Sequence, residues 1–144
     1  MKIYFCASIR GGRQLADRYE KMIQLLQEHG EVLTEHLGSN EIIERKDRVL
    51  SDKQIHDRDM EWVREADVLV AEVSVASLGV GYEIGRAIEW GKPVLCLFHK
   101  ESELTLSAMI AGSEGVENHS YRSLEEMSEI LSGFLKGHVP DRIS

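Results

Sequence analysis

Val68-Leu69-Val70-Ala71-Glu72-Val73, followed shortly by Ser77-Leu-Gly-Val-Gly-Tyr-Glu-Ile-Gly-Arg-Ala87, decides the fold. The first run is apolar almost throughout, as a strand covered on both faces must be. It passes through glycines into Val80, Ile84, Ala87 and Ile88, which recur at helical spacing. The pair predicts a strand over 67–73 and a helix over 79–90. Outward from it the same alternation repeats. Residues 2–7 read as a buried strand, and 13–28 as a helix with Leu15, Tyr19, Met22, Ile23 and Leu26 on one face. Gly30 supplies its C-terminal stop. A short strand is expected over 31–34, a helix over 54–65 and a strand over 93–98. A helical turn near 107–110, a weak strand near 116–119 and a last helix over 123–136 complete the set. Ser123 and Glu126 have the spacing of a capping box. Strand–helix alternation of this kind implies an α/β sandwich of three layers around a mostly parallel sheet. No internal repeat or second domain is visible, so residues 1–144 are read as one domain.

Bulk properties narrow the function classes. The 144 residues carry 17 Lys+Arg against 25 Asp+Glu, a net charge of −8. A general nucleic-acid binder normally shows a basic face, so no polymeric nucleic acid is expected as partner. No apolar run reaches the length of a membrane span, and Met1-Lys2 leads straight into a strand rather than a signal peptide. Cys6 and Cys96 lie inside apolar runs and read as buried, reduced thiols, which points to an intracellular, cytoplasmic protein. Strand packing is the simpler reading of Cys6, against a nucleophile.

In parallel sheets ligands bind beyond the carboxyl ends of the strands, where strand order reverses. Ser8-Ile9-Arg10-Gly11-Gly12-Arg13 follows the first strand and opens the first helix. Glycines admit close backbone approach, helix-start N–H groups attract anions, and Arg10 and Arg13 can fork phosphate oxygens. An ordinary turn with two solvated arginines is the plain alternative. Two cations at the ligand edge of an acidic chain favour phosphate. Gly79, Gly81 and Gly85 resemble a dinucleotide fingerprint with one residue too many, in the wrong unit, so no nicotinamide cofactor is expected.

Two carboxylates break the amphipathic pattern. Glu83 flanks the Val80–Ile84–Ala87 stripe near a helix start, and Asp59 sits mid-helix among Ile55, Trp62 and Val63. A carboxylate bonded to nearby backbone or to His56 would account for Asp59 alone. Two such acids in one small domain suggest an acid–nucleophile pair. That pair suits a glycosidic bond: one carboxylate attacks the anomeric carbon while the other, protonated through burial, gives the leaving group its proton. Tyr4 is placed to orient Glu83, with core packing as the alternative. His36 ends the second strand, and Ser107-Ala108-Met109 follows the fourth. Trp62 and Trp90 read as core or interface residues. Residues 38–53 are polar without periodicity, fitting either a functional loop or an insertion with a helical turn near 41–45.

Taken in order, Tyr4-Phe-Cys-Ala-Ser-Ile-Arg-Gly-Gly-Arg13, Val32-Leu-Thr-Glu-His36, Ile55-His-Asp-Arg-Asp59 and the 77–87 segment closely resemble the 2′-deoxynucleoside 5′-phosphate N-hydrolases. Those proteins form a group within the nucleoside 2-deoxyribosyltransferase superfamily. The likeness extends through Gly91-Lys-Pro-Val-Leu-Cys-Leu-Phe98 and Leu106-Ser-Ala-Met-Ile110, and is poor after Gly38 and at the C-terminus. It implies a flavodoxin-like (Rossmann-like) five-stranded sheet. It also implies hydrolysis of the N-glycosidic bond of 2′-deoxynucleoside 5′-monophosphates, without metal or organic cofactor. By the resemblance, Glu83 is the nucleophile, Asp59 assists departure of the base and Tyr4 positions Glu83. Ile9 to Arg13 and Ser77 contact phosphate, with Ala7 and Ser8 leading into that segment and Gly79 beside the sugar. Ala7 departs from the family's glycine. Tyr19 and His36 match further substrate positions. Ser107, Ala108 and Met109 match a stretch reaching the substrate from a neighbouring subunit, which implies a homodimer. The rival readings are a deoxyribosyltransferase acting on unphosphorylated nucleosides and a nucleotide-binding sensor without turnover.

Overall fold

The structure is a computed structural model that describes residues 1–9, 12–34 and 50–140, with residues 12–14 described by backbone alone. Among the described residues, five strands alternate with five helices. In chain order they are β1 (Lys2–Ala7), α1 (Gly12–Gln27), β2 (Glu31–Val32), α2 (Asp52–Glu65), β3 (Val68–Glu72), α3 (Leu78–Glu89), β4 (Val94–His99), α4 (Ala108–Ala111), β5 (Val116–Tyr121) and α5 (Leu124–Gly137). The strands form one parallel sheet in the order β2-β1-β3-β4-β5. This is the flavodoxin-like order, as expected, and its reversal point lies between β1 and β3. Tyr4 pairs with Leu69 across that boundary and Ala7 with Glu72, so the carboxyl ends of the two strands open side by side.

Each face of the sheet carries its own core, because alternate residues of a strand point to opposite sides. Ile3, Phe5, Val68, Val70, Leu95 and Leu97 pack with Tyr19, Met22 and Leu26 of α1 and with Met127, Leu131 and Phe134 of α5. Tyr4, Cys6, Leu69, Ala71, Val94 and Cys96 pack with Met60 and Val63 of α2 and with Val80, Ile84 and Ala87 of α3. Both thiols are buried and free. No helix among the described residues is long and apolar enough to cross a membrane.

Several boundaries differ from expectation for physical reasons. β2 is two residues long because the Thr34 hydroxyl takes over the pairing: it donates to Phe5 O at 2.5 Å and accepts from Phe5 N at 3.0 Å. α2 starts at Asp52, two residues before the expected Gln54. Ser51 caps it and Gln54 closes the reciprocal bond, a complete capping box. Residues 50–53 therefore belong to a helix start, while the rest of the 38–53 stretch, including the turn expected near 41–45, lies outside the described residues. At α5 the expected box is half formed. Ser123 accepts from Glu126 N, but the Glu126 carboxylate takes Arg122 N and Lys100 Nζ instead of closing back on Ser123. β5 runs through Tyr121, beyond the expected His119, and residues 117–120 are exposed, as suits a sheet edge.

Candidate active site

Ser77 caps α3 by accepting the Val80 N–H at 3.3 Å. Glu83 is thus the sixth helical residue, in the second turn rather than near the helix start as expected. Side chains in a helix lean toward its N-terminus, and this one leans far enough to return to the first turn. A Cβ built on Gly79 would stand 3.8 Å from Glu83 Oε1 and 3.8 Å from Ser77 Oγ. The carboxylate and the capping hydroxyl therefore flank Gly79, at the positive end of the helix dipole.

Beneath them lies Tyr4, 1% exposed, with its hydroxyl hydrogen-bonded to Glu83. Burial, and then the negative charges of Glu83 and Asp59, hold its phenol far above the ordinary range. Tyr4 consequently keeps its proton and donates to Glu83. One hydroxyl thus feels both acids, which α2 and α3 carry on the same face of the sheet. Cys6, two residues along the same strand face, is driven well above the ordinary thiol range by burial and by Glu83, Cys96 and Asp59. That thiol stays neutral and is no nucleophile. Cys96 is pushed up to about 12 by burial.

Asp59 is the eighth residue of α2 and its side chain retains 24% exposure. The deep burial expected of a proton donor is absent. Its partner is neither backbone nor His56 but Arg58, whose Nε donates to Oδ1 at 3.1 Å with Nη2 also 3.1 Å from that oxygen. The guanidinium lies 4.7 Å from the centre of the Trp62 ring, which explains how an adjacent residue curls back onto Asp59. His56 instead bonds Asp57 at 2.9 Å and Tyr82 at 2.8 Å. Trp90 is half-buried, with Arg64 and Arg86 4.6 and 4.8 Å from its ring centre.

The remaining expected residues are scattered. Ala7 and Ser8 are buried at the carboxyl end of β1 and Ile9 is exposed beyond them. Arg10, Gly11 and His36 lie outside the described residues. Gly12 and Arg13 form the first turn of α1, with the Arg13 side chain outside the described residues. Tyr19 sits on the opposite face of the sheet from Tyr4, edge-on to Phe5, and its buried hydroxyl has no hydrogen-bond partner among the described residues. Such a group ordinarily costs about 1–3 kcal/mol. Ser107 caps the short α4, and Met109 is 82% exposed. α4 rests on β5, where Asn118 Nδ2 donates to Ile110 O. Within one chain, then, 107–109 stand two strands from β3.

One residue escaped the sequence reading. Glu72, at the end of β3, is buried on the α1–α5 side and accepts from Ser74 N, Ser74 Oγ and the Tyr121 hydroxyl. Its signal was present: an acid inside a strand whose both faces are covered.

Residues 3–130 match the family described as nucleoside 2-deoxyribosyltransferase. A Tetraodon nigroviridis protein named 5-hydroxymethyl-dUMP N-hydrolase is 47% identical over 137 residues, covering 93% of this chain and 96% of its own. A protein of the same name from Esox lucius is 48% identical, covering 98% and 100%. Among solved structures, the CMP N-glycosidase of Clostridium botulinum superposes with a TM-score of 0.70 at 22% identity, over 93% of this chain and 99% of that one, a likeness of fold. The chain belongs to the nucleoside 2-deoxyribosyltransferase family.

Proposed function

We propose that the protein hydrolyses the N-glycosidic bond of 2′-deoxynucleoside 5′-monophosphates, releasing the base and 2-deoxyribose 5-phosphate. The observation that carries this reading is that Glu83 and Asp59, on the same face of the sheet, both bear electrostatically on the buried Tyr4 hydroxyl. A Glu83 oxygen bonds to C1′ as the C1′–N bond breaks, and the electron pair of that bond leaves with the base. Asp59 supplies the proton the base requires. Water then adds to C1′, restores the Glu83 carboxylate and leaves its second proton with Asp59. Ser77 and Gly79, beside Glu83 at the start of α3, suit phosphate and sugar, as do Ser8 and the 9–13 segment at the start of α1. His36 completes the substrate contacts in this reading, and Tyr19, buried in the core of the opposite face, is left out of them. The relatives' names make 5-hydroxymethyl-dUMP the first substrate to assay.

A 2′-hydroxyl on the sugar would crowd the Tyr4–Glu83 pair and destabilise the developing cation inductively. Base release from dGMP or 5-hydroxymethyl-dUMP is therefore expected to exceed release from the matching ribonucleotide by about 10²-fold or more, the scale of 2.7 kcal/mol in the barrier. Chromatography of the free base reads the ratio. Equal release from both sugars contradicts this account of the site. Added acceptor base should give no new nucleoside, and its appearance would move the activity to base exchange.

A homodimer belongs to the same proposal. Leu78, 97% exposed beside Ser77, and Met109 are apolar groups at the site's edge and on α4. A second copy covering both would bring Ser107, Ala108 and Met109 to its neighbour's α3. Sedimentation at assay concentration should return twice the chain mass of 16.3 kDa, and a single-copy mass in an active sample excludes the shared site.

A further inference from the structure

Glu72 has no part in the chemistry proposed above, yet it is a carboxylate withdrawn from water at the end of the central strand. An apolar residue there would extend the core formed by Val68 and Val70 on the same face. Burying a charge is costly unless its oxygens are fully engaged, and a group retained at such cost commonly fixes a geometry. Here the engagement is specific. Oε1 accepts the Ser74 N–H at 2.6 Å, and Oε2 accepts the Ser74 hydroxyl at 3.0 Å. The same Ser74 oxygen accepts the His99 N–H at 2.8 Å, tying the exit of β3 to the exit of β4. Oε2 also accepts from the Tyr121 hydroxyl at the end of β5, and Arg18 Nη1 of α1 lies 3.8 Å away. Three strand ends and one helix thus converge on one carboxylate. Three residues beyond Ser74 stands Ser77, the cap of α3, with Gly79 and the Glu83 carboxylate against it.

We infer that Glu72 is a positioning residue: through Ser74 it sets the 74–77 turn, and so aims Ser77 and Gly79 at the phosphate and sugar of the substrate. The inference rests on the functional reading above. It assigns Glu72 an effect on the substrate grip, which a residue serving stability alone would not have.

The experiment compares wild type, Glu72→Gln and Tyr121→Phe with 5-hydroxymethyl-dUMP or dGMP. KM and kcat are measured per folded molecule, together with Tm and with the Kd for the monophosphate. Gln preserves shape but has one acceptor oxygen, so it must give up either the Ser74 N–H or the two hydroxyls, and KM and Kd should rise about tenfold while kcat stays within about threefold. Tyr121→Phe removes a bond to Glu72 without touching Ser74, and should lower Tm with KM near wild type. Falling Tm in both variants with wild-type KM and Kd in Glu72→Gln overturns the inference. If Glu72→Gln does not fold, Ser74→Ala takes its place, with the same tenfold rise expected and wild-type KM and Kd again overturning it. Wild-type protein that binds the monophosphate but releases no base sinks the hydrolase reading alone, since the Kd comparison still judges Glu72. Wild-type protein that does not bind it sinks both.

Discussion

Glu83→Gln should lose base release by at least about 10³-fold while keeping its fold, because the proposed reaction loses its nucleophile and the core loses no packing element. Gln has nearly the same volume, and its carbonyl can still accept the Tyr4 proton, so the α2–α3 side of the core need not move. What disappears is the charged oxygen that, in the proposed reaction, bonds C1′. An amide oxygen neither stabilises the oxocarbenium-like transition state electrostatically nor forms an ester that water can resolve. Kd for the monophosphate is expected within about threefold of wild type, since phosphate contacts reside elsewhere. Base release would be followed under single-turnover conditions, with thermal denaturation confirming the folded state. Turnover within tenfold of wild type would remove Glu83 from the reaction. Cys6 offers no substitute: its thiol lies under the site, neutral and buried.

The sheet was legible wherever strands are covered on both faces. β1, β3 and β4 carry unbroken apolar runs, and those runs have no other stable home. β2 and β5 were less so. At β2, Thr34 pairs through its hydroxyl, which no pattern of apolar residues reports. At β5, the exposed Glu117, Asn118, His119 and Ser120 mask a strand anchored only by Val116 and Tyr121. The cap of α2 was lost in a polar stretch because Ser51 and Gln54 look like loop residues until the bonds between them are seen.

At the site, helical periodicity revealed Asp59 and Glu83 as misplaced acids, and Tyr4 followed from its strand. Their surroundings were harder to read. Adjacent helix residues normally diverge, so Arg58 gave no sign of reaching Asp59 until Trp62 appeared beneath its guanidinium. Tyr19 obeyed the apolar stripe of α1 and went to the core on the far face. Glu72 was hidden by the strand signal around it, since one acid scarcely dilutes five apolar neighbours.

Asp59→Asn carries the second large effect, and its form distinguishes a proton donor from a structural acid. General acid catalysis commonly contributes about 10²–10⁴-fold, so kcat should fall by that factor on bases that leave poorly without a proton. The loss should shrink for bases stable as anions, and in acid for bases that take a proton from solvent. Both Arg58 nitrogens converge on Oδ1, which leaves Oδ2 as the oxygen to meet the leaving group. Asn retains an oxygen for Arg58 but has no acidic proton to give. A series of deoxynucleoside monophosphates, ranked by the acidity of the departing base, would be assayed with wild type and variant. The variant's log kcat should fall more steeply as the base becomes a poorer leaving group. Parallel lines displaced by a constant factor would mean that Asp59 acts by charge alone, stabilising the developing cation without transferring a proton. Coincident lines would assign no role to Asp59. Only the steeper slope is compatible with an acid that meets the base in the transition state.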